Sequence, residues 1–321
     1  MAQRILFTLT SMIVLASLVL GACSTLPGQV AQPVNLKIAV LPILDALPMY
    51  VANQKGYFQD LGVNVEFIPV ASAAERDQIM VAGQADGMIN DLVSTLFYNK
   101  DKVQIQIVAF ARTATPEFPQ YRILAAANSG ITKVEDLKGV DIGISEGSVI
   151  AYTTDRLLQA EGFQPDEIKT IAVPKIPDRM SLLASGELKA ANLPDPLSSL
   201  AIQSGAIPIL DDTQHPEYGN SVISFRSEVI ANNPQAIRGF LKALEKAIGE
   251  INTDPTQWDQ LLTEQKLVPA PLIGSYQMPP FPTRMVPTEA QWLDVLDWAK
   301  GKGLIDRDLA YAESVTAEYL P

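Results

Sequence analysis

The stretch LKIAVLPILDALPMYVANQKGYFQDLGVNVEF, residues 36–67, reads as strand, loop, helix and strand. Leu36, Ile38 and Val40 alternate with less apolar neighbours, as a half-buried strand does. Pro48 suits a first helical turn, where its missing N–H has no partner to lose. Gly56 supplies a left-handed stop after Lys55. Val63, Val65 and Phe67 then alternate as a second strand. Two strands joined by a helix form a parallel, right-handed unit. Ligands of open parallel sheets bind just past the carboxyl ends of the strands, which places the loop Leu41–Leu47 at such a position.

The same alternation runs outward along the chain. Ala73–Val81, Leu92–Tyr98, Val149–Ala160, Arg179–Leu183 and Leu197–Gln203 read as helices. Strands are expected at Ala85–Ile89, Val103–Ile107, Val140–Ser145, Thr170–Val173, Ala190–Leu193 and Ile207–Leu210. Tyr121–Ala127 is expected as a first crossing between two lobes and Val222–Phe225 as the return. Asn233 and Pro234 open a helix whose stripe is Ile237, Phe240, Leu241, Leu244, Ile248 and Ile251. The Pro-rich run 268–287 is expected as an extended surface segment. Thr288 and Gln291 form a capping box ahead of Trp292, Val295, Leu296 and Ala299, which read as core. The fold class is α/β, with two doubly wound lobes joined by a two-strand hinge and a ligand cleft between them. Lobe one is residues 36–122 plus 226–321, and lobe two is 123–225.

The first stretch also carries a likeness. Pro48, Tyr50, Ala52, Lys55, Gly56, Tyr57 and Phe58 are set as P-x-Y-x-A-x-x-K-G-Y-F. Leu61, Gly62, Val65, Glu66 and Phe67 follow as L-G-V-x-V-E-F. The pattern resembles the start of bacterial solute-binding proteins that serve ABC importers of alkanesulfonates, thiamine pyrimidines and riboflavin. In weaker form the resemblance extends over residues 36–300. It implies a type II periplasmic binding protein, and it contributes to the placing of the two crossings.

The chain has 321 residues and a net charge of −12. That length suits two domains better than one core. The acidic balance argues against nucleic acid, whose partners carry basic patches. Cys23 is the only cysteine. Arg4, the apolar run Ile5–Leu20, and Gly21 and Ala22 ahead of Cys23 have the form of a secretory signal. Small residues before a Cys resemble the lipoprotein processing site, so residues 1–22 are expected as signal, Cys23 as the lipidated residue, and 23–35 as a tether. The protein is then expected on the extracytoplasmic side of a cell membrane.

Gly143-Ile144-Ser145-Glu146-Gly147 matches G-x-S-x-G between a strand and a helix, the setting of a hydrolase nucleophile. His215 is the only histidine, and Asp211 precedes it. A lipid-anchored serine esterase using Ser145 and His215 is therefore one reading. Against it, Asp211 and His215 sit in one loop, and strong helix patterns follow them. The other reading is a Gly-rich turn that aims backbone N–H groups at a ligand. In the resembled family the turn after D-L-K-G-x-x-I-G lines the cleft; Asp136, Leu137, Lys138, Gly139, Ile142 and Gly143 match. Ser145, Glu146, Gly147 and Ser148 are carried over as ligand contacts. Asn90, Asp91 and Ser94 follow G-x-A-D-x-G at Gly83, Ala85, Asp86 and Gly87 and are carried over likewise, although Asn90 or Asp91 also suits a plain helix cap. Asp45, Tyr50, Arg122, Tyr152 and Asp195 complete the candidates.

The expected function is a solute-binding lipoprotein of an ABC importer, not an enzyme, with no cofactor and no metal site. Its partners are a small ligand, the permease and ATPase subunits, and the membrane; the protein itself is expected as a monomer. Carboxylates dominate the candidates, and Arg122 is the only arginine near them. Unpaired carboxylates disfavour an anion. The residues therefore tilt toward a neutral or weakly basic heterocycle, riboflavin first, with a thiamine pyrimidine precursor or an alkanesulfonate as alternatives from the family's range.

Overall fold

The computed structural model describes residues 32–321. The expected signal segment and Cys23 lie outside the described residues. Each of two sheets has five strands. The first joins β1 (Val34–Val40), β2 (Val63–Pro69), β3 (Gly87–Asn90), β4 (Ile105–Thr113) and β10 (Asn220–Arg226) in the order β2-β1-β3-β10-β4. The second joins β5 (Tyr121–Ala125), β6 (Asp141–Ile144), β7 (Lys169–Ala172), β8 (Ala190–Pro194) and β9 (Ile207–Asp211) in the order β7-β6-β8-β5-β9. In each, three parallel strands are extended by an antiparallel pair.

The opening stretch folds as its pattern dictates. Leu36, Ile38 and Val40 are buried, and β1 pairs parallel with β2 in the register Leu36–Val65. Helix α1 (Leu47–Gln54) carries Pro48 in its first turn, and Gly56 follows at φ +74°. That angle costs a residue without Cβ little.

The further helices that pack on the sheets include α2 (Ala73–Val81), α3 (Leu92–Asn99), α4 (Val149–Ala160), α5 (Ile176–Ser185), α6 (Leu197–Gln203) and α7 (Pro234–Thr253). The whole predicted stripe of α7 is buried, and Phe240 stacks on Phe58 at 5.1 Å. In α8 (Glu289–Gly301) the Thr288–Gln291 capping box is formed. Trp292 is fully buried, and its indole N–H donates to the Leu309 carbonyl at 2.8 Å. The run 268–287 is not wholly a surface segment: Val268, Leu272 and Phe281 are buried in the core of the first sheet. Their apolar area overrides the proline signal.

Two loop segments, 114–120 and 212–219, carry the chain between the sheets. The expected lobe edges at 122 and 225 differ from these by a few residues. Strand β10 hydrogen-bonds to β3 and β4, so residues 220–225 stand in the first sheet. Tyr121 and Arg122 pair with β8 and β9 in the second. Apolar alternation reports a strand but not its neighbours.

Candidate functional site

A cavity lies between the two sheets, at the carboxyl ends of their parallel strands. Leu41 and Ile43 follow β1, Ala73 and Arg76 follow β2, and Asn90 and Asp91 close β3. On the other side Ser145 and Ser148 follow β6, Pro174 and Arg179 follow β7, and Pro194 ends β8. Leu41, Ile43, Ile89, Val149, Ile150 and Ile176 give the wall an aliphatic character, and Tyr121 is its one aromatic ring.

Four of the named helices, α2, α3, α4 and α5, begin at this cavity, and side chains cap three of them. Ser72 caps α2 by accepting the Glu75 N–H at 3.1 Å. Asp91 caps α3 by accepting the Ser94 N–H at 2.8 Å. Ser148 caps α4 by accepting the Ile150 N–H at 3.3 Å, while its hydroxyl donates to the Ser145 carbonyl at 2.8 Å. These caps satisfy orphan N–H groups that a buried helix end cannot leave bare.

Two arginines that sequence reading missed dominate the electrostatics. Arg76 is buried, with Nε donating to Asp77 at 2.8 Å and Nη1 3.8 Å from the Asp91 carboxylate. Burial disfavours its charge, but Asp77 and Asp91 outweigh that, so its pKa moves up. Burial raises the pKa of Asp91, against the pull of Arg76. Arg179 has no accessible surface. Its Nε donates to the Asn192 carbonyl at 2.9 Å and its Nη1 to the Val173 carbonyl at 2.7 Å. No carboxylate answers it among the described residues, and burial pulls its pKa down to about 10. The Nη2 atoms of both arginines are buried without a hydrogen-bond partner. A buried charge is normally paired, and a guanidinium presents its N–H groups as a fork fitted to an oxyanion. Chemically, such a lining can take an anionic group beside an aliphatic body.

The predicted residues divide. Asn90, Asp91, Ser145 and Ser148 line the cavity. Ser94 is fully buried behind them, its hydroxyl directed at Asp77. Glu146 is exposed, and Gly147 at φ +63° faces Phe97. Asp45 lies off the cavity, bonded to Ser221 and Gln120 and 3.8 Å from Arg112. Tyr50 packs on Phe67 at 4.7 Å. The Tyr152 hydroxyl donates to Asp294.

Arg122 and Asp195 pair at 2.6 Å beside a second cavity, with Ser199 and Tyr276. Asp195 also accepts from Arg112 and Tyr276; the two arginines outweigh burial and hold its pKa low. These two residues form an internal ion cluster rather than part of the first cavity.

The esterase reading fails on geometry. His215 contacts Glu217 at 3.2 Å and stacks on Tyr218, and Asp211 accepts from Thr213. Ser145 lines the cavity without either of them. Sequence order alone matched a triad that the two crossings hold apart.

A signal for the missed arginines exists in retrospect. Each is the fourth residue of the helix after the second parallel strand of its lobe, Ala73 to Arg76 and Ile176 to Arg179, and each follows an acidic residue, Glu75 or Asp178.

The family model described as NMT1/THI5 like matches residues 44–258. An Escherichia coli (strain K12) protein named as an aliphatic sulfonates-binding protein is 29% identical over 171 residues, which span 53% of this chain and 53% of that protein. The chain thus spans about half the length of that relative. The Saccharomyces cerevisiae 4-amino-5-hydroxymethyl-2-methylpyrimidine phosphate synthase THI11 is 22% identical over 85% of this chain and 84% of its own. Among solved structures, the alkanesulfonate-binding protein SsuA from Xanthomonas axonopodis pv. citri bound to MOPS superposes with a TM-score of 0.75 at 17% identity, over 89% of this chain and 99% of its own.

Proposed function

This chain belongs to the NMT1/THI5-like family, and from that premise we propose that it is the solute-binding subunit of an ABC importer for small organic anions. The observation that carries this reading is Arg179, a buried guanidinium with no counter-ion among the described residues, at the cavity between the two lobes. An oxyanion of the ligand meets its free N–H, and the aliphatic wall takes the ligand's body. Closure around the ligand then presents an altered surface to the permease.

Among the ligands weighed from the sequence, an alkanesulfonate fits this chemistry best. Riboflavin asks for aromatic faces, and the lining offers Tyr121 alone. A small inorganic anion such as nitrate would leave the aliphatic wall unused. The named functions of the sulfonate-binding relatives support the same choice. Lipid attachment at Cys23 completes the proposal and places the protein on the extracytoplasmic membrane face.

The test is calorimetric titration of the chain starting after Cys23 with butanesulfonate, nitrate and riboflavin. Saturable binding of butanesulfonate alone, with a melting temperature that rises with its concentration, is the expected result. Binding of riboflavin without butanesulfonate overturns the ligand class. Metabolic fatty-acid labelling of the full chain, lost in Cys23→Ser, tests the anchor.

A further inference from the structure

Asp212 stands at the start of the second crossing and is fully buried. Its two carboxylate oxygens accept one N–H each from the end of the first crossing and the strand it leads into, from Gln120 at 2.9 Å and Tyr121 at 3.1 Å. The space for it depends on Gly219, where an added Cβ would fall 1.8 Å from Asp212 Oδ2. The two crossings are joined a second time by the Ala114 N–H and the Gly219 carbonyl at 2.7 Å.

No cation forms an ion pair with Asp212 among the described residues. The charged and titratable groups facing it are Asp211 on β9, Arg112 on β4 and Tyr121 on β5. Arg112 is directed at Asp195 and Asp45 instead. His215, whose N–H donates to the Asp212 carbonyl, directs its ring to Glu217.

We propose that Asp212 is a proton-sensitive tie between the two crossings: ionised, it holds both N–H groups, and protonated, it releases one. The carboxyl takes up one proton from solvent, and the oxygen that carries it becomes a donor and a poorer acceptor. An ionised acceptor makes hydrogen bonds roughly twice as strong as a neutral one. Burial without a counter-ion brings this titration up to about pH 7, with the two N–H bonds pulling against burial. The stiffness of the segments on which the lobes close therefore varies with pH near neutrality.

The test is amide hydrogen exchange of the unliganded chain, following Gln120 and Tyr121 relative to Ile123 in the neighbouring core. Between about pH 5.5 and 8.5, after correction for intrinsic exchange, protection of at least one of the two hinge amides rises about tenfold. Asp212→Asn and Gly219→Ala, which displaces the carboxylate, lose that step. A flat wild-type profile, or a step that survives in Asp212→Asn, overturns the proposal. Should both variants fail to fold, the carboxyl carbon of Asp212 in the wild-type chain decides by NMR. A titration near 7 upholds the tie, and one below about 5 removes it. Neither measurement uses a ligand, so the outcome is independent of the proposed transport role.

Discussion

Arg179 gives its Nε proton to the Asn192 carbonyl at 2.9 Å, and this contact fixes the fork whose Nη2 ends unpartnered. Asn192 also donates to Thr153 and Thr154 in the first turns of α4 at 3.0 and 2.9 Å. One strand residue thus sets the cation and a helix start against each other. Arg179→Gln keeps a polar side chain, shortens it by about two heavy atoms and removes the charge. Truncating a desolvated charged partner costs about 2–5 kcal/mol, so butanesulfonate affinity should fall about 30-fold or more by calorimetry. The melting temperature of the free protein should hold or rise, because an uncompensated buried charge has been removed.

The charge on Arg179 also sets an alkaline limit. Its pKa is pulled down to about 10 by burial. A sulfonate stays ionised throughout, so affinity should decline as pH rises through about 10 and the guanidinium loses its proton. Titration at stepped pH, with Arg179→Gln as the flat control, checks this.

Asp91 caps α3 and balances Arg76 at one place. Asp91→Ala should destabilise by at least the roughly 1 kcal/mol of a lost cap, with a further cost from Arg76 left facing only Asp77. Asp91→Asn preserves the cap acceptor and should recover the first part alone. Urea denaturation separates the two.

Asp212 gives a sign that can be checked by melting. Its folded-state pKa, about 7, stands above that of an unfolded aspartate, so the native state binds more protons between the two values. Its contribution is most favourable below the unfolded value and declines as pH rises toward about 7, then levels. The difference in melting temperature between wild type and Asp212→Asn should follow that curve. Global stability and hinge protection then move in opposite directions with pH.

Phe240 stacks on Phe58 and meets Phe225 edge-on at 5.2 Å. Phe240→Ala should cost about 3–5 kcal/mol of stability, as a large aromatic removed from a closed core does. Ligand affinity of the folded fraction should not change, since the residue lies in the first core and not at the cavity.

What the sequence determined by itself is the local part. Alternation at Leu36–Val40, the proline at 48, the glycine at 56 and the stripe of α7 each act within a few residues, and each element formed where it was read. Asn90, Asp91, Ser145 and Ser148 were legible because a strand end followed by a helix cap is also a local pattern. Tertiary structure alone decided the charge of the site. Arg76 and Arg179 sit in ordinary helical turns, about 100 residues apart in a chain whose lobes are built as similar units. Only the crossings bring both to one cavity. The same distance effect misplaced Asp45, Arg122 and Asp195, whose carboxylates and guanidinium find partners up to 176 residues away. Whether a buried charge is free or paired depends on what lies within about 4 Å of it, and no spacing along the chain records that.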